Sequence, residues 1–225
     1  MEAALSQEAE EYIEIIYKLQ KRNGLAKTKE LAENLHVVPG SITNTIEHLE
    51  SHGLVMHEPY RGVKLTREGE KFALDIIRRH RLAERLLTDI LKADWGSVHE
   101  DACKLEHALT KNVTNLLEER LGYPKFCPHG NPIPSSSGEI DEGPSFPLVE
   151  ADLNEPYVVY SIIDEENVDM TVLSKKGIKP EAILYVKKQD RKHVALKVNG
   201  ENQELSYDVA ACIFLKKPRR NNNSV

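Results

Sequence analysis

The stretch QEAEEYIEIIYKLQKR (7–22) places Tyr12, Ile13, Ile16, Tyr17 and Leu19 at helical spacing, which predicts an amphipathic helix. Glu8, Glu10, Glu11 and Glu14 crowd its first half, where negative charge suits the positive end of the helix dipole. Asn23-Gly24 stops it. A short helix is expected over Lys27 to Leu35, with Thr28 as its N-cap. Val37-Val38-Pro39-Gly40 reads as a tight turn, and Ser41–Ser51 as a second helix with Ile42, Ile46 and Leu49 inward. After Gly53, the runs Leu54–Glu58 and Val63–Thr66 form a β-hairpin through Pro59-Tyr60-Arg61-Gly62. Thr66 opens a long helix to about Ala93, and helices follow at 97–110 and 111–122. The segment from Gly122 to Pro147 holds six prolines and Ser135-Ser136-Ser137-Gly138, the composition of a linker. Short apolar runs at Tyr157–Ile163, Ile183–Val186, Val194–Val198 and Cys212–Leu215 then predict a small β-barrel. Arg219–Asn223 is a polar tail, expected to be disordered.

The order helix, short helix, turn, helix, hairpin is that of a winged helix-turn-helix. The second helix of the pair would enter the major groove. Its outward Ser41, Thr43, Asn44 and Thr45 are short hydrogen-bonding side chains suited to phosphates and base edges. Pro39 at its entry, Lys27 and Lys29 before it, and Arg61 and Lys64 on the hairpin complete the candidate DNA surface. Bulk charge does not advertise such a partner: the net charge is −6 at pH 7. The first 66 residues hold seven Lys and Arg against ten Asp and Glu, so any attraction to DNA is local.

The remaining composition narrows the class. A hydrophobic content of 40% with 29% charged residues fits a soluble globular protein, and no apolar run reaches the length of a membrane span. Three cysteines and an acidic N-terminus argue against a disulfide framework and a signal peptide, so a cytoplasmic location with reduced thiols is expected. Reduced Cys103 is then available as a ligand. His80 and Glu84 lie four apart, as do His99 and Cys103, and Glu106 and His107 follow three and four residues beyond Cys103. Such intervals align side chains along one stripe of a helix, and imidazole, thiolate and carboxylate together suit a transition-metal ion. Cys127-Pro128-His129 also has a ligand-like pattern, but it falls in the Pro-rich segment with no neighbouring donor in sequence and reads as structural.

A winged helix followed by these ligand helices resembles the diphtheria toxin repressor family of iron- and manganese-dependent transcriptional repressors. The resemblance rests on EEYIEIIYKL at the start, GLVMHEPYRGVKLTREG (53–69), HRLAERLLTDIL (80–91), VHEDACKLEH (98–107) and GNPIP (130–134). It covers most of residues 7–134. KKGIKPEAILYV (175–186) and the final strand resemble the SH3-like domain of the same family. The implied fold is α+β multidomain. A winged-helix DNA-binding domain spans 1–72, an all-α metal-binding and dimerisation domain 73–124, and a Pro-rich linker 125–148. An SH3-like β-barrel spans 149–217, and the tail 218–225 is expected to be disordered.

The resemblance further implies a primary metal site of Glu11, Cys103, Glu106 and His107. It implies an ancillary site of His80, Glu84 and His99, completed from the C-terminal domain by Glu166 and Asp169. The family's iron regulators carry Met at the position of Glu11, and its manganese regulators carry Asp there with Glu in place of Cys103. This chain therefore pairs a manganese-like carboxylate with an iron-like thiolate. The expected cofactor is Fe²⁺, with Mn²⁺ or another divalent transition metal as the alternative. The expected function is repression of metal-homeostasis genes by a metal-loaded homodimer bound to double-stranded operator DNA, with no membrane and no organic substrate. Two other classes stay open at this point. One is a non-haem metalloenzyme, although Glu33–His36 has no second Glu-x-x-His with which to build a di-iron bundle. The other is a winged-helix regulator gated by an organic ligand.

Overall fold

The structure, a computed structural model, describes residues 5–58, 61–163 and 168–218, with the side chain of Pro39 left aside. Pro59, Tyr60, Glu166 and the tail from Arg219 onward lie outside the described residues. The chain forms two compact units. The first comprises residues up to His80 together with 106–113 and 134–139, and the second comprises 81–105, 114–133 and 140 onward.

The first unit begins with α1 (Gln7–Asn23), capped by Ser6, whose hydroxyl accepts from the Ala9 amide, and closed by left-handed Gly24. Next come α2 (Thr28–Asn34), α3 (Pro39–Ser51), and the antiparallel hairpin of β1 (Val55–Glu58) and β2 (Gly62–Leu65). This is the expected winged helix-turn-helix, with two local corrections. Thr28 is the first helical residue of α2 and not its cap, because the Glu30 carboxylate reaches back to the Lys27 amide. Pro39 and Gly40 belong to α3 and not to a preceding turn. Proline suits a first helical position, where its fixed φ fits and no amide is needed. Tyr12, Ile13, Ile16 and Leu19 of α1 share one buried cluster with Leu31 of α2, Ile42, Ile46 and Leu49 of α3, and Val55, Val63 and Leu65 of the wing. The metal-ligand candidates on α1 are therefore mechanically tied to the recognition helix.

Helix α4 spans Arg67–Arg85 and then changes character: Leu86–Ile90 forms a π-type turn, where a single helix to about Ala93 is predicted. The Thr88 hydroxyl donates to the Glu84 carbonyl (3.0 Å), and the Leu91 amide reaches Leu86 O instead of its i−4 partner. The helices α5 (His99–Glu106) and α6 (Lys111–Arg120) are shorter than predicted, so His107 sits just beyond the end of α5.

In the second unit, β3 (Phe146–Pro147), β4 (Pro156–Ile162), β5 (Ile183–Gln189), β6 (His193–Val198), β7 (Glu201–Ser206) and β8 (Ile213–Lys216) form one antiparallel sheet ordered β3-β8-β4-β5-β6-β7. Two short helices, α7 (Met170–Lys175) and α8 (Tyr207–Ala211), accompany it. Bulges between Val159 and Ser161 and between Val186 and Lys188 bend its strands. Among the described residues no pairing joins β3 to β7, so the expected closed barrel is observed as an open sheet. Its core gathers Leu148, Tyr157, Val159, Leu184, Val186, Leu196 and Leu215, with Trp95 packed against it.

Candidate metal centres

In the first unit, α1 supplies Glu10 and Glu11, α4 supplies Arg79 and His80, and Glu106 at the end of α5 is followed directly by His107. His107 Nε2 lies 3.3 Å from Glu106 Oε1 and 3.9 Å from Glu11 Oε1. Its other nitrogen, Nδ1, is 2.7 Å from Glu10 Oε2. His80 Nδ1 meets the second Glu106 oxygen at 2.6 Å. Two of the predicted primary-site carboxylates, Glu11 and Glu106, thus flank the third predicted residue, His107, in this unit. The fourth, Cys103, belongs to the second unit, where its sulfur lies 3.6 Å from His99 Nε2.

Burial pushes the Glu106 carboxyl above its ordinary range, opposed by the His80 hydrogen bond and reinforced by the charge of Glu14. A carboxyl raised in the folded state contributes stability that is complete below the unfolded value of 4.5 and is lost as pH rises through the folded value. Thermal melts of the metal-free protein should show stability declining across that window, and Glu106→Gln should flatten the decline. An unchanged slope in the variant would assign the effect to other groups.

A second cluster lies within the second unit. Glu84, near the end of α4, and Cys127 and His129 are all buried, and their ligand atoms lie within 4.8 Å of one another. Glu84 Oε1 is 2.8 Å from His129 Nδ1, while His129 Nε2 is 3.0 Å from the Trp95 carbonyl. The Cys127–Asn131 turn is tightly built. Gly130 NH donates to Cys127 O at 3.0 Å, and Cys127 NH to Asn131 O at 2.8 Å. Gly130 has φ +86°, and a Cβ there would come within 2.1 Å of the Tyr160 carbonyl, so only glycine is accommodated. Trp95 Nε1 donates to Pro128 O at 2.6 Å, and the Ile162 amide to His129 O at 2.9 Å. This corrects the reading of Cys127-Pro128-His129 as a ligand pattern without a neighbouring donor. The segment is also no plain linker at its start: it closes over a buried carboxylate. Its signal, Cys-x-His followed by Gly, is present in the sequence, but Glu84 precedes it by over forty residues.

Of the expected ancillary set, His80 is in the first unit and Glu84 and His99 in the second. Glu84 is engaged by His129. Asp169 caps α7, accepting from Val172 NH at 3.0 Å and from the Thr171 hydroxyl at 2.7 Å, and these bonds hold its carboxyl below the usual range. Its expected partner Glu166 lies outside the described residues. On α3, Thr43 and Asn44 are exposed, Ser41 and Thr45 half-exposed, and Ile42, Ile46 and Leu49 buried, as the periodicity requires. Lys27 and Lys29 are exposed on or beside α2, with Lys29 3.7 Å from Glu33. The wing's positive charge is weaker than predicted, because Glu58 pairs with Arg61 at 2.9 Å and with Lys64 at 3.2 Å.

A winged helix-turn-helix whose first helix carries carboxylates beside a His/Glu cluster defines a metal-regulated DNA-binding protein. Residues 4–63 match the family described as "Iron dependent repressor, N-terminal DNA binding domain", and residues 66–135 match "Iron dependent repressor, metal binding and dimerisation domain". The chain is 31% identical to the diphtheria toxin repressor of Corynebacterium efficiens, covering 92% of this chain and 94% of that protein. It is 29% identical to the iron-dependent repressor IdeR of Mycobacterium leprae, covering 92% and 96%. A solved manganese-dependent transcriptional repressor in complex with manganese superposes with a TM-score of 0.84 at 28% identity, covering 93% of this chain and all of the other. The chain belongs to the iron-dependent repressor family, whose members are metal-dependent transcriptional repressors and not enzymes. The metalloenzyme alternative is thereby set aside. Among the described residues no helix is long and apolar enough to cross a membrane.

Proposed function

We propose that this metal-dependent repressor binds operator DNA as a cytoplasmic homodimer when its primary site, Glu11, Cys103, Glu106 and His107, is loaded, with Fe²⁺ as the expected ion and Mn²⁺ as the alternative. One observation carries the reading: Glu11 lies 3.9 Å from the His107 nitrogen that also faces Glu106, while the apolar face of the same helix shares its core with α3. A bound divalent cation supplies the positive charge that lets these anionic groups share one point. Glu11 drawn toward Glu106 and His107 orients α1, and α1 carries the recognition helix with it. Differential affinity of about 5.5 kcal/mol would convert a 1:99 population into 99:1.

The second cluster supports a further divalent site. Glu84, Cys127 and His129 offer one oxygen, one sulfur and one nitrogen donor inside a buried turn, a set suited to Fe²⁺ or Zn²⁺. The Glu84–His129 contact favours this set over His80, Glu84 and His99 as the ancillary site, and the capping duty of Asp169 argues against its serving as a ligand. The C-terminal unit is read as SH3-like on the strength of KKGIKPEAILYV and its bulged antiparallel strands.

The test is an anaerobic DNA-binding titration on promoter fragments, with Fe²⁺, Mn²⁺ or chelator, over a range of salt. Binding should require metal and weaken steeply with salt, because phosphate contacts dominate affinity. Asn44→Ala should lower operator affinity by about 1–3 kcal/mol while leaving metal binding unchanged. Equal DNA binding with and without chelator would overturn the reading.

A further inference from the structure

Arg79 and Glu10 belong to no predicted ligand set, yet they form a connected ionic network in the first unit. Arg79 Nη2 donates to Glu10 Oε1 at 3.0 Å and Nη1 to Glu10 Oε2 at 3.3 Å, a two-pronged clamp. The same Nη1 donates to the Glu106 backbone carbonyl at 2.7 Å, and Nε lies 3.3 Å from Asp75. The Arg79 side chain is only 6% exposed and that of Glu10 13%, so the geometry is held by packing and not by chance surface pairing. Glu10 Oε2 in turn meets His107 Nδ1 at 2.7 Å.

We propose that Glu10, clamped by Arg79, is the positioning residue for His107: it holds the imidazole as the Nδ1–H tautomer, so that Nε2 presents its lone pair toward Glu106 and Glu11. A carboxylate oxygen accepts, and Nδ1 makes much the shorter contact, 2.7 Å to Glu10 against 3.3 Å from Nε2 to Glu106, so in the neutral ring Nδ1 carries the proton. The remaining nitrogen, at 3.3 Å and 3.9 Å from the two carboxylates, is then the one left to bind a cation. A carboxylate behind a ligating histidine also raises its basicity, and loss of such a partner costs about 10–100-fold in metal affinity. Arg79 serves two functional groups at once, orienting Glu10 and anchoring the end of α5 through the Glu106 carbonyl. Glu10 adjoins Glu11 on α1, so one turn of helix holds a ligand and the support of another ligand. This inference rests on the primary-site reading.

The experiment uses the full-length protein and anaerobic Co²⁺ titration followed by visible absorption, with ¹⁵N-histidine spectra of the metal-free protein to read the His107 tautomer. Glu10→Gln keeps the shape and an acceptor for Arg79 but removes the charge. It should weaken Co²⁺ binding about 10–100-fold. Glu10→Ala should weaken it further and release His107 into a mixture of tautomers, with circular dichroism checking that the fold is retained. If His107→Ala abolishes a Co²⁺ site while both Glu10 variants keep affinity within twofold and the Nδ1–H tautomer, the positioning role is overturned. If His107→Ala itself leaves Co²⁺ binding unchanged, the primary-site reading fails instead. The tautomer in Glu10→Ala then still decides whether Glu10 orients the ring. Should Glu10→Ala not fold, the tautomer and affinity of Glu10→Gln carry the test.

Discussion

His107→Ala should abolish metal activation of operator binding and leave the protein folded. The ring touches Glu10, Glu11 and Glu106 from a position just past the end of α5, and it belongs to neither buried apolar cluster. Removing it deletes the imidazole between two carboxylates that otherwise repel. Metal affinity should drop by more than the roughly 100-fold upper cost of losing a supporting partner, because the ligand itself is gone. Apparent DNA affinity at fixed Fe²⁺ or Mn²⁺ should fall with it, towards the level seen with chelator. Fluorescence anisotropy on an operator fragment, read alongside circular dichroism, checks this. A variant that still responds fully to metal would show that the primary site lies elsewhere.

The second large effect is expected at Glu84. Its carboxylate is fully buried against His129, itself fully buried. Glu84→Ala leaves the imidazole facing a cavity, and breaking a buried pair by deleting one partner costs about 3–5 kcal/mol. At roughly 2–4 °C per kcal/mol for a chain of this size, the melting transition should drop by about 6–20 °C. Glu84→Gln separates the two roles of the group. It can still hydrogen-bond His129 and so should cost far less stability. Without the charge, however, it should lose the rise in melting temperature that Zn²⁺ or Fe²⁺ brings to the unmodified protein. If metal raises the melting temperature of the variant as much as that of the parent, Glu84–His129 is a buried hydrogen-bonded pair and no more.

These expectations draw unequally on sequence and on structure. The winged helix-turn-helix was legible in the residues alone because each of its elements is local. The apolar positions of α1 and α3 recur at helical spacing, and α1 ends at Gly24. Periodicity also separated buried Ile42, Ile46 and Leu49 from exposed Thr43 and Asn44 without any knowledge of neighbours. The expectation that His99, Cys103 and Glu106 share a helix came from the same kind of signal, since spacings of three and four place side chains along one stripe.

Tertiary structure decided what local spacing cannot encode: which donors meet across long separations. Glu84 joins Cys127 and His129 at the turn around left-handed Gly130, which also makes the Trp95–Pro128 and His129–Ile162 hydrogen bonds. Nothing in the Pro-rich composition of 122–147 announces it. Arg79 and Glu10 were equally silent in sequence, one arginine among several and one glutamate in an acidic run, until packing brought them together behind His107. The change from α4 to a π-type turn after Arg85, where the Thr88 hydroxyl meets the Glu84 carbonyl, was likewise absent from the helical periodicity. Helical and strand periodicities are written into neighbouring residues. Convergence of charges is written only into the closed chain, where burial makes each distant pairing obligatory.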